Sequence, residues 1–492
     1  MRFGSGVLHE EAVTSMIGKR VTSSMRWLVL AQMLGQGGAV LASLVVIRIL
    51  EPTDYGLMAM AAVVLGLILL LNEMGLGSAL IQQASLSRVE LERVFGLLLV
   101  VNLGLALALI GAAPAIAVFF DEPRVTPLIQ VMALRLPLMA LLVVPRSMLR
   151  RDMLFRRKAM VDLAGILSGS AATLVLALMG YGVWSIVVGI LIGGVVEVIG
   201  TYIASPVRVW PAFSIRGMGQ QCRFGGFVTL DRILWYSYSQ ADVVVLGRFL
   251  GPELLGVYSV AKRLASMPLD RLGGIVNEVG FSAYSSAHRD GLSVPEYYCK
   301  AARLASFFTF PLFFGMAAIA PEAIPVVLGE KWSPAVLPFQ LLALVMPLRQ
   351  LNVINTPALM GIGRPDVNVV NLLIALVIMV PAFLIGVQWG VIGVCLAWVI
   401  AYPVYFAIML WRSLAVLQVS ARSYLGAILP SALTAAVMVG CVEVSRRLLD
   451  DWLIQPVLLL AVLAVVGFLG YLAAAGLLNR PQCREILSVL RR

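Results

Sequence analysis

Histidine is almost missing from this chain. There are two in 492 residues, His9 and His288, both in polar stretches. That removes the usual ligand of a metal centre and the usual proton shuttle of an acid–base catalyst. Cysteine is scarce too. The five (Cys222, Cys299, Cys395, Cys441 and Cys483) are odd in number and form no CxxC, so neither a disulfide framework nor a zinc site is indicated. Charge is thin, at 13% of residues against about 25% in soluble domains. No Walker motif and no glycine-rich phosphate loop after a strand occurs. Basic stretches interleaved with aromatics, the pattern of a nucleic-acid surface, are absent as well. No polar loop exceeds about 20 residues, which leaves no room for a soluble catalytic domain.

What fills the chain is apolar sequence: 60% of residues, with a mean hydropathy of +0.95. A helix needs about 20 apolar residues to cross the hydrocarbon. Runs of that length, broken by Gly, Pro and charge clusters, number about 14. They lie near 27–50, 55–80, 92–120, 126–148, 158–179, 181–203, 223–250, 255–283, 298–328, 333–361, 367–387, 389–412, 422–445 and 452–478. Lys19, Arg20 and Arg26 precede an apolar run too long for the h-region of a cleavable signal.

The net charge of +11 points to orientation rather than to nucleic acid. With the N-terminus inside, the even-side loops collect Arg88, Arg93, the run RSMLRRDMLFRRK at 146–158, Arg208, Arg216, Arg289, Lys300, Arg364, Arg422 and the tail arginines. The odd-side loops EPTD, DEP, GYG and GPE hold no cation. The positive-inside rule then places both termini in the cytoplasm. Arg446 and Arg447 are the exception.

The chain also repeats itself. RILEPTDYG at Arg48 is echoed by RFLGPELLG at Arg248, and NEMG at Asn72 by NEVG at Asn277. QVMALRLPL at Gln130 resembles QLLALVMPL at Gln340, and GVWSIVVG at Gly182 resembles GVIGVCLA at Gly390. The echoes relate spans 1–6 to spans 7–12 in order. Six is even, so the halves are parallel repeats about an axis along the membrane normal, a design that places substrate between them. The expected organisation is a cytoplasmic segment (1–26), a lobe of six helices (27–203), a cytoplasmic linker (204–222), a second lobe of six (223–412), and two further helices with a cytoplasmic tail (413–492).

Ionisable groups inside spans cost roughly 2.5–3.5 kcal/mol each on insertion scales and need a partner or water. Span 7 places Asp231, Trp235, Tyr238 and Asp242 on one helical face, and span 8 places Ser259, Arg263, Ser266 and Asp270 on another, with Arg271 beside them. Arg232 adjoins Asp231. Asn72, Glu73, Asp162 and Glu197 add polar groups in the first half, and Glu278 falls in the NEVG echo. Asp242 with Arg263 reads equally well as a packing ion pair and as a cavity pair. Arg135 and Arg349 have no acidic residue within a turn, so both are expected to face a wet, cationic cavity that suits an anion, phosphate above all. Trp235 and Tyr238 are candidates to stack on sugars or to anchor at an interface. The substrate candidates are therefore Arg135, Arg349, Arg263, Arg271, Arg232, Trp235 and Tyr238. Asp231, Asp242, Asp270, Glu73 and Glu278 are candidates for ion coupling or ion pairing. No metal site and no cofactor is expected beyond an H+ or Na+ gradient.

LVVIRILEPTDYGLMAMAAVVLGLILLLNEMGLGSALIQQ at 44–83, RSMLRRDMLFRR at 146–157, MGYGVWSIVVG at 179–189 and ADVVVLGRFLGPELLGVYSVAKRLASMPLDRL at 241–272 carry a resemblance. They resemble bacterial polysaccharide exporters of the Wzx/PST type, within the multidrug/oligosaccharidyl-lipid/polysaccharide (MOP) flippase superfamily. The resemblance implies an all-α polytopic membrane protein: two six-helix bundles in a V, as in MATE transporters, plus two further helices, facing a central cavity. It implies a flippase that carries undecaprenyl-pyrophosphate-linked oligosaccharide across the bacterial inner membrane by alternating access, in exopolysaccharide or lipopolysaccharide biosynthesis. Membrane lipid, a polysaccharide polymerase and export machinery are the implied partners; nucleic acid is not.

Two rivals remain. A drug/cation antiporter of the same superfamily would line its cavity with carboxylates and aromatics rather than with unmatched arginines. A membrane-embedded polymerase or ligase would need a catalytic constellation, usually in a long outer loop, and the chain offers none.

Overall fold

The computed structural model describes residues 35, 37–72, 87–205, 209–213, 219–449, 455–480 and 482–483, with only the backbone at 219–232 and 270–279. Among these residues every regular element is a helix. Eleven helical stretches are long and apolar enough to cross a membrane. The chain forms two compact units, Met1–Ile233 and Leu234–Arg492.

In the first unit the order is α1 (Gly37–Ile49), α2 (Pro52–Leu69), α3 (Arg88–Phe120), α4 (Val125–Met132), α5 (Arg135–Arg151), α6 (Phe155–Leu178) and α7 (Val183–Ala204). Local chemistry sets the ends. α2 opens with Pro at its first position and with reciprocal capping, in which the Glu51 amide donates to Asp54 Oδ2 at 3.1 Å. α3 opens on the capping box SRVE: the Glu90 amide donates to Ser87 Oγ at 3.2 Å, and the Ser87 amide donates to Glu90 Oε2 at 2.9 Å. It stops at Asp121, which is left-handed at φ 55°. Arg124 then pairs with Glu122, donating to Oε1 at 2.8 Å, and holds that carboxyl below its usual range. The core of the unit joins α3 and α5 through Leu91, Phe95, Leu98, Val143, Val144 and Met148.

The second unit begins within α8 (Gly219–Arg289). It continues through α9 (Val294–Leu328), α10 (Val336–Gly361), α11 (Pro365–Gly386), α12 (Gly390–Leu417), α13 (Ala421–Leu449) and α14 (Pro456–Leu478). A 3-10 turn, Glu330–Ala335, leads into α10. α9 packs on α10, α13 and α14, and α12 packs on α10 and α11. Large apolar side chains such as Val377, Ile400 and Trp411 are exposed, as lipid-facing positions require.

Several expected spans change shape. The second, expected over 55–80, is helical only to Leu69, and 73–86 lies outside the described residues. The fourth, 126–148, is the pair α4 and α5, divided at Ala133 and Leu134. The seventh and eighth join in one run, α8, which kinks at Gly251 (φ 75°). The first is described only from Gly37, and 27–34 lies outside the described residues.

The repeated corners share local geometry. Pro52 opens α2, and Pro252 resumes the helix after the Gly251 kink. Gly182 and Gly390 stand at the starts of α7 and α12 with φ 53° and 69°, a conformation that a side chain at Cβ disfavours. Arg446, the exception to the charge rule, is tied down. It donates to Glu322 Oε1 at 2.6 Å, to Glu443, and to the Ala318 carbonyl.

Candidate functional site

The charged cavity of the first unit is built by three helices. Along α5, Arg135 and Arg146 are eleven residues apart, three helical turns, and so share a face. Along α6, Asp162 is followed by Gly165, Gly169 and Thr173 at the same kind of spacing. Along α7, Gly189 and Gly193 lead to Glu197. Both glycine pairs are GxxxG motifs, GILSG at 165–169 and GILIG at 189–193, and they meet. A Cβ on Gly165 would lie 3.2 Å from the Gly193 carbonyl oxygen, and one on Gly169 would lie 3.0 Å from that of Gly189. With no side chains in the way, the two backbones close up and form a wall of the cavity.

At the end of this glycine seam the charges converge. Arg146 Nη2 donates to Asp162 Oδ1 at 2.6 Å and also bonds Glu197. Lys158, one turn before Asp162, pairs with that carboxylate too. The Nε–H of Arg146 is buried without a partner among the described residues. The cluster is not sealed: the side chains of Arg146, Asp162 and Glu197 keep 27%, 20% and 17% of their exposure. They line a cavity of about 480 Å³ together with Arg135, Ser170 and Thr173. Arg135 makes no hydrogen bond or ion pair to a described residue, and Glu197 acts on it only through space. The cavity therefore holds one guanidinium engaged by carboxylates and one without such a partner. A planar guanidinium offers paired N–H donors to phosphate oxygens.

The second unit assembles its intramembrane charges differently. Asp242 on α8 is fully buried. Lys262 donates to its Oδ1 at 2.8 Å and to the Ser239 carbonyl at 2.8 Å. Tyr258 bonds Asp242 Oδ2. The indole Nε1–H of Trp398, on α12, lies 3.1 Å from Asp242 Oδ2 and 2.9 Å from the Tyr258 hydroxyl. Phe383, Tyr402 and Tyr238 ring Trp398 at centroid distances of 5.3, 5.6 and 6.3 Å. Arg349, on α10, lies over the Trp398 ring, its Cζ 4.9 Å from the centroid. Among the described residues no carboxylate pairs with it.

The sequence candidates thus fall into different surroundings. The partner of Asp242 is Lys262; Arg263, one residue on, is exposed. Trp235 is 54% exposed while Tyr238 is buried, so the face they share by spacing does not give them one environment. Glu73 lies outside the described residues, as do the side chains of Asp231, Arg232, Asp270, Arg271 and Glu278. In the sequence Asp162 and Glu197 stand only as polar additions, and Arg146 only as a loop cation. The two GxxxG motifs were the signal that would have brought them together. Trp398 went unremarked because an isolated Trp in an apolar run reads as core.

Comparison with known proteins places the chain. A family profile described as "Polysaccharide biosynthesis protein" matches residues 45–337. The chain is 25% identical over 390 residues to a protein of Escherichia coli (strain K12) described as "Lipopolysaccharide biosynthesis protein WzxC", covering 78% of each. It is 28% identical over 346 residues to the "Succinoglycan biosynthesis transport protein ExoT" of Rhizobium meliloti (strain 1021), covering 70% of each. Its fold matches the solved structure described as "Lipid II flippase MurJ, inward closed conformation", with a TM-score of 0.75 at 14% identity, covering 92% of this chain and 99% of that one.

Proposed function

The chain belongs to the polysaccharide biosynthesis protein family, and from that premise we propose that it is a flippase for lipid-linked oligosaccharide. Its substrate is an oligosaccharide repeat unit on undecaprenyl pyrophosphate, moved across the inner membrane for exopolysaccharide or lipopolysaccharide assembly. It acts as a transporter and makes no covalent change. The observation that carries this reading is the cavity on α5, α6 and α7. It contains Arg135 with no hydrogen-bonded or ion-paired described partner, beside hydroxyl groups and glycine backbone. An arginine is costly in hydrocarbon, and a pyrophosphate is more so. A site where each satisfies the other lets a polar headgroup cross while the polyprenyl tail stays in lipid. The names of the relatives, one a transport protein of succinoglycan biosynthesis and one a lipopolysaccharide biosynthesis protein, support the same substrate class.

The transport step in this reading is alternating access, driven by an H+ or Na+ gradient. Arg349, held over Trp398, serves as a second contact for the anionic headgroup. Counting Ile233–Leu269, divided at Gly251, and Pro365–Leu417, divided at Gly390, as two crossings each, and α1 as one, brings the eleven stretches to fourteen, the number read from the sequence. The two termini then lie in the cytoplasm, as the distribution of arginines suggests. The shared geometry at Pro52 and Pro252, and at Gly182 and Gly390, supports the parallel repeat. A polymerase that receives the units on the far side is the natural partner.

The test is translocation of lipid-linked units in a strain that lacks this gene, complemented with wild type, Arg135→Ala, Arg349→Ala and the double variant. Untranslocated units should accumulate with each variant, most with the double. Normal translocation by all three would remove the cationic site from the proposal.

A further inference from the structure

We infer that Asp162 and Glu197 are internal stand-ins for the phosphates of the substrate, and that the headgroup enters this cavity together with a proton, taken up by the carboxylates it displaces from Arg146. The inference rests on the reading that this cavity receives the pyrophosphate, and it goes beyond that reading by saying what the two acids do.

The geometric ground is that Arg146 is already engaged. Its Nη2 bonds Asp162 at 2.6 Å and also bonds Glu197, while Arg135 on the same face has no such bond. A carboxylate and a phosphate offer a guanidinium the same thing, two oxygens in a plane at hydrogen-bond distance. An anion that reaches the cavity therefore meets Arg135 directly, but can take Arg146 only by replacing one of its acids. The acids have room to yield, since they line open cavity on one side.

Charge counting then sets the stoichiometry. Three cations face the cluster: Arg135 and Arg146 from α5 and Lys158 from α6. Two carboxylates oppose them, Asp162 from α6 and Glu197 from α7. Other packed elements add little: α3, packed on α5, carries Arg88, Glu90, Glu92 and Arg93 in its first two turns, where Arg88 pairs with Glu92 and Glu90 bonds Ser87. α4 has no ionisable side chain. The single acid of α2, Asp54, is bound to the Val183 amide at the far end of α7. α1 meets α6 at Gly38 and Leu167, and its single charged residue is Arg48. The empty cavity is thus positive by one charge. A pyrophosphate diester, with two negative charges, would leave it negative by one. A carboxylate that has lost its cation and stands beside a bound dianion favours its neutral form. A single proton on Asp162 or Glu197 restores neutrality. Lys158 keeps its hold on Asp162 and leaves Glu197, whose described partner is Arg146 alone, as the first acid to be displaced. The proton comes from solvent on the side from which substrate enters. It is given up when Arg146 closes back on its acids.

The experiment is calorimetric titration of the purified full chain with a short-chain prenyl-pyrophosphoryl-N-acetylglucosamine. This diester has no proton of its own to exchange near neutral pH. Titrations in buffers of different ionisation enthalpy count the protons taken up on binding. Wild type should take up about one proton at pH 7, with affinity rising about tenfold for each unit of pH lowered through the titrating range. Glu197→Gln should still bind the probe but take up few or no protons, and its affinity should lose its dependence on pH. Melting of each variant in the same detergent shows whether it is folded. Binding by wild type with no proton uptake overturns the inference and leaves the flippase reading standing. Proton uptake that survives Glu197→Gln and Asp162→Asn alike also overturns it. Absence of any binding by folded wild type brings down the reading of the cavity itself.

Discussion

Two clusters of intramembrane charge, one in each unit, use nearly the same parts and do opposite things. In the first, Arg146, Asp162, Glu197 and Lys158 line a cavity and remain partly open. In the second, Asp242 and Lys262 are closed in by Tyr258 and Trp398, with Asp242 wholly buried. A sealed pair can set packing but cannot exchange partners, because no other ion can reach it. An open pair can. The difference is made by what stands next to the charges. Beside Asp162 and Glu197 it is glycine, and beside Asp242 it is aromatic rings.

The largest expected effect tests the sealed side of this contrast. Asp242→Ala removes the buried carboxylate that Lys262, Tyr258 and Trp398 all bond, and should cost about 3–5 kcal/mol of stability. The double variant Asp242→Asn with Lys262→Met should recover most of that loss. Melting of the purified chain in detergent measures both. An Asp242→Ala protein that melts like wild type but does not transport would make the second cluster the working one and reverse the comparison.

The next effect tests the open side. Arg135→Ala removes charge-assisted hydrogen bonds to the headgroup, worth about 1.5–3 kcal/mol, or about 10- to 150-fold in affinity for a pyrophosphate diester. The melting temperature should stay level or rise, because an arginine with no hydrogen-bonded or ion-paired described partner stabilises little. A drop in stability with unchanged affinity would place Arg135 among the structural charges.

A somewhat smaller effect tests what keeps the first cluster open. In Gly193→Ala the new Cβ would lie 2.8 Å from the Gly165 carbonyl oxygen. Backbone cannot swing aside as a side chain can, so α6 and α7 must part. About 1–3 kcal/mol of stability should be lost, together with the alignment of Asp162 and Glu197 on Arg146. Unchanged melting and unchanged headgroup affinity would show that the glycine seam does not shape the cavity.

Much of this was legible from sequence, for reasons that also explain what was not. Span positions follow from apolar run length, which burial in lipid imposes directly, and the corners at Pro52, Pro252, Gly182 and Gly390 announce themselves by residues with narrow backbone preferences. The break between α4 and α5 has no such marker: Ala133 and Leu134 are ordinary helix formers, and the interruption is not written in propensity. Arg135 and Arg349 were visible because a cation without a near acid is anomalous in a span. Arg146 was not, because four arginines and a lysine follow it within a dozen residues, and a loop rich in cations masks one that reaches inward. The pairing of Asp242 with Lys262 rather than Arg263 turns on helix rotation by one residue, about 100°. Periodicity names a face but does not say which of two adjacent cations it presents to a neighbour on the far side of a kink.

Trp398 gives the smallest and most discriminating test, because it touches both roles at once. Its indole N–H is tied to Asp242 and Tyr258, while its ring carries Arg349. Trp398→Phe keeps a ring beneath the guanidinium and gives up the N–H. Asp242 retains Lys262 and Tyr258, so the loss should be close to that of one hydrogen bond, about 0.5–1.5 kcal/mol of stability, with headgroup affinity nearly unchanged. Trp398→Leu gives up the N–H and the ring together. Its stability should fall further, and it should also lose the cation–π hold on Arg349, about 0.5–1 kcal/mol, read as a few-fold weaker binding of the diester. If the second unit only packs, Phe and Leu will differ in melting and not in binding. If Arg349 meets the headgroup from the Trp398 ring, binding separates the two variants, and the sealed cluster proves to be the mount for a working arginine.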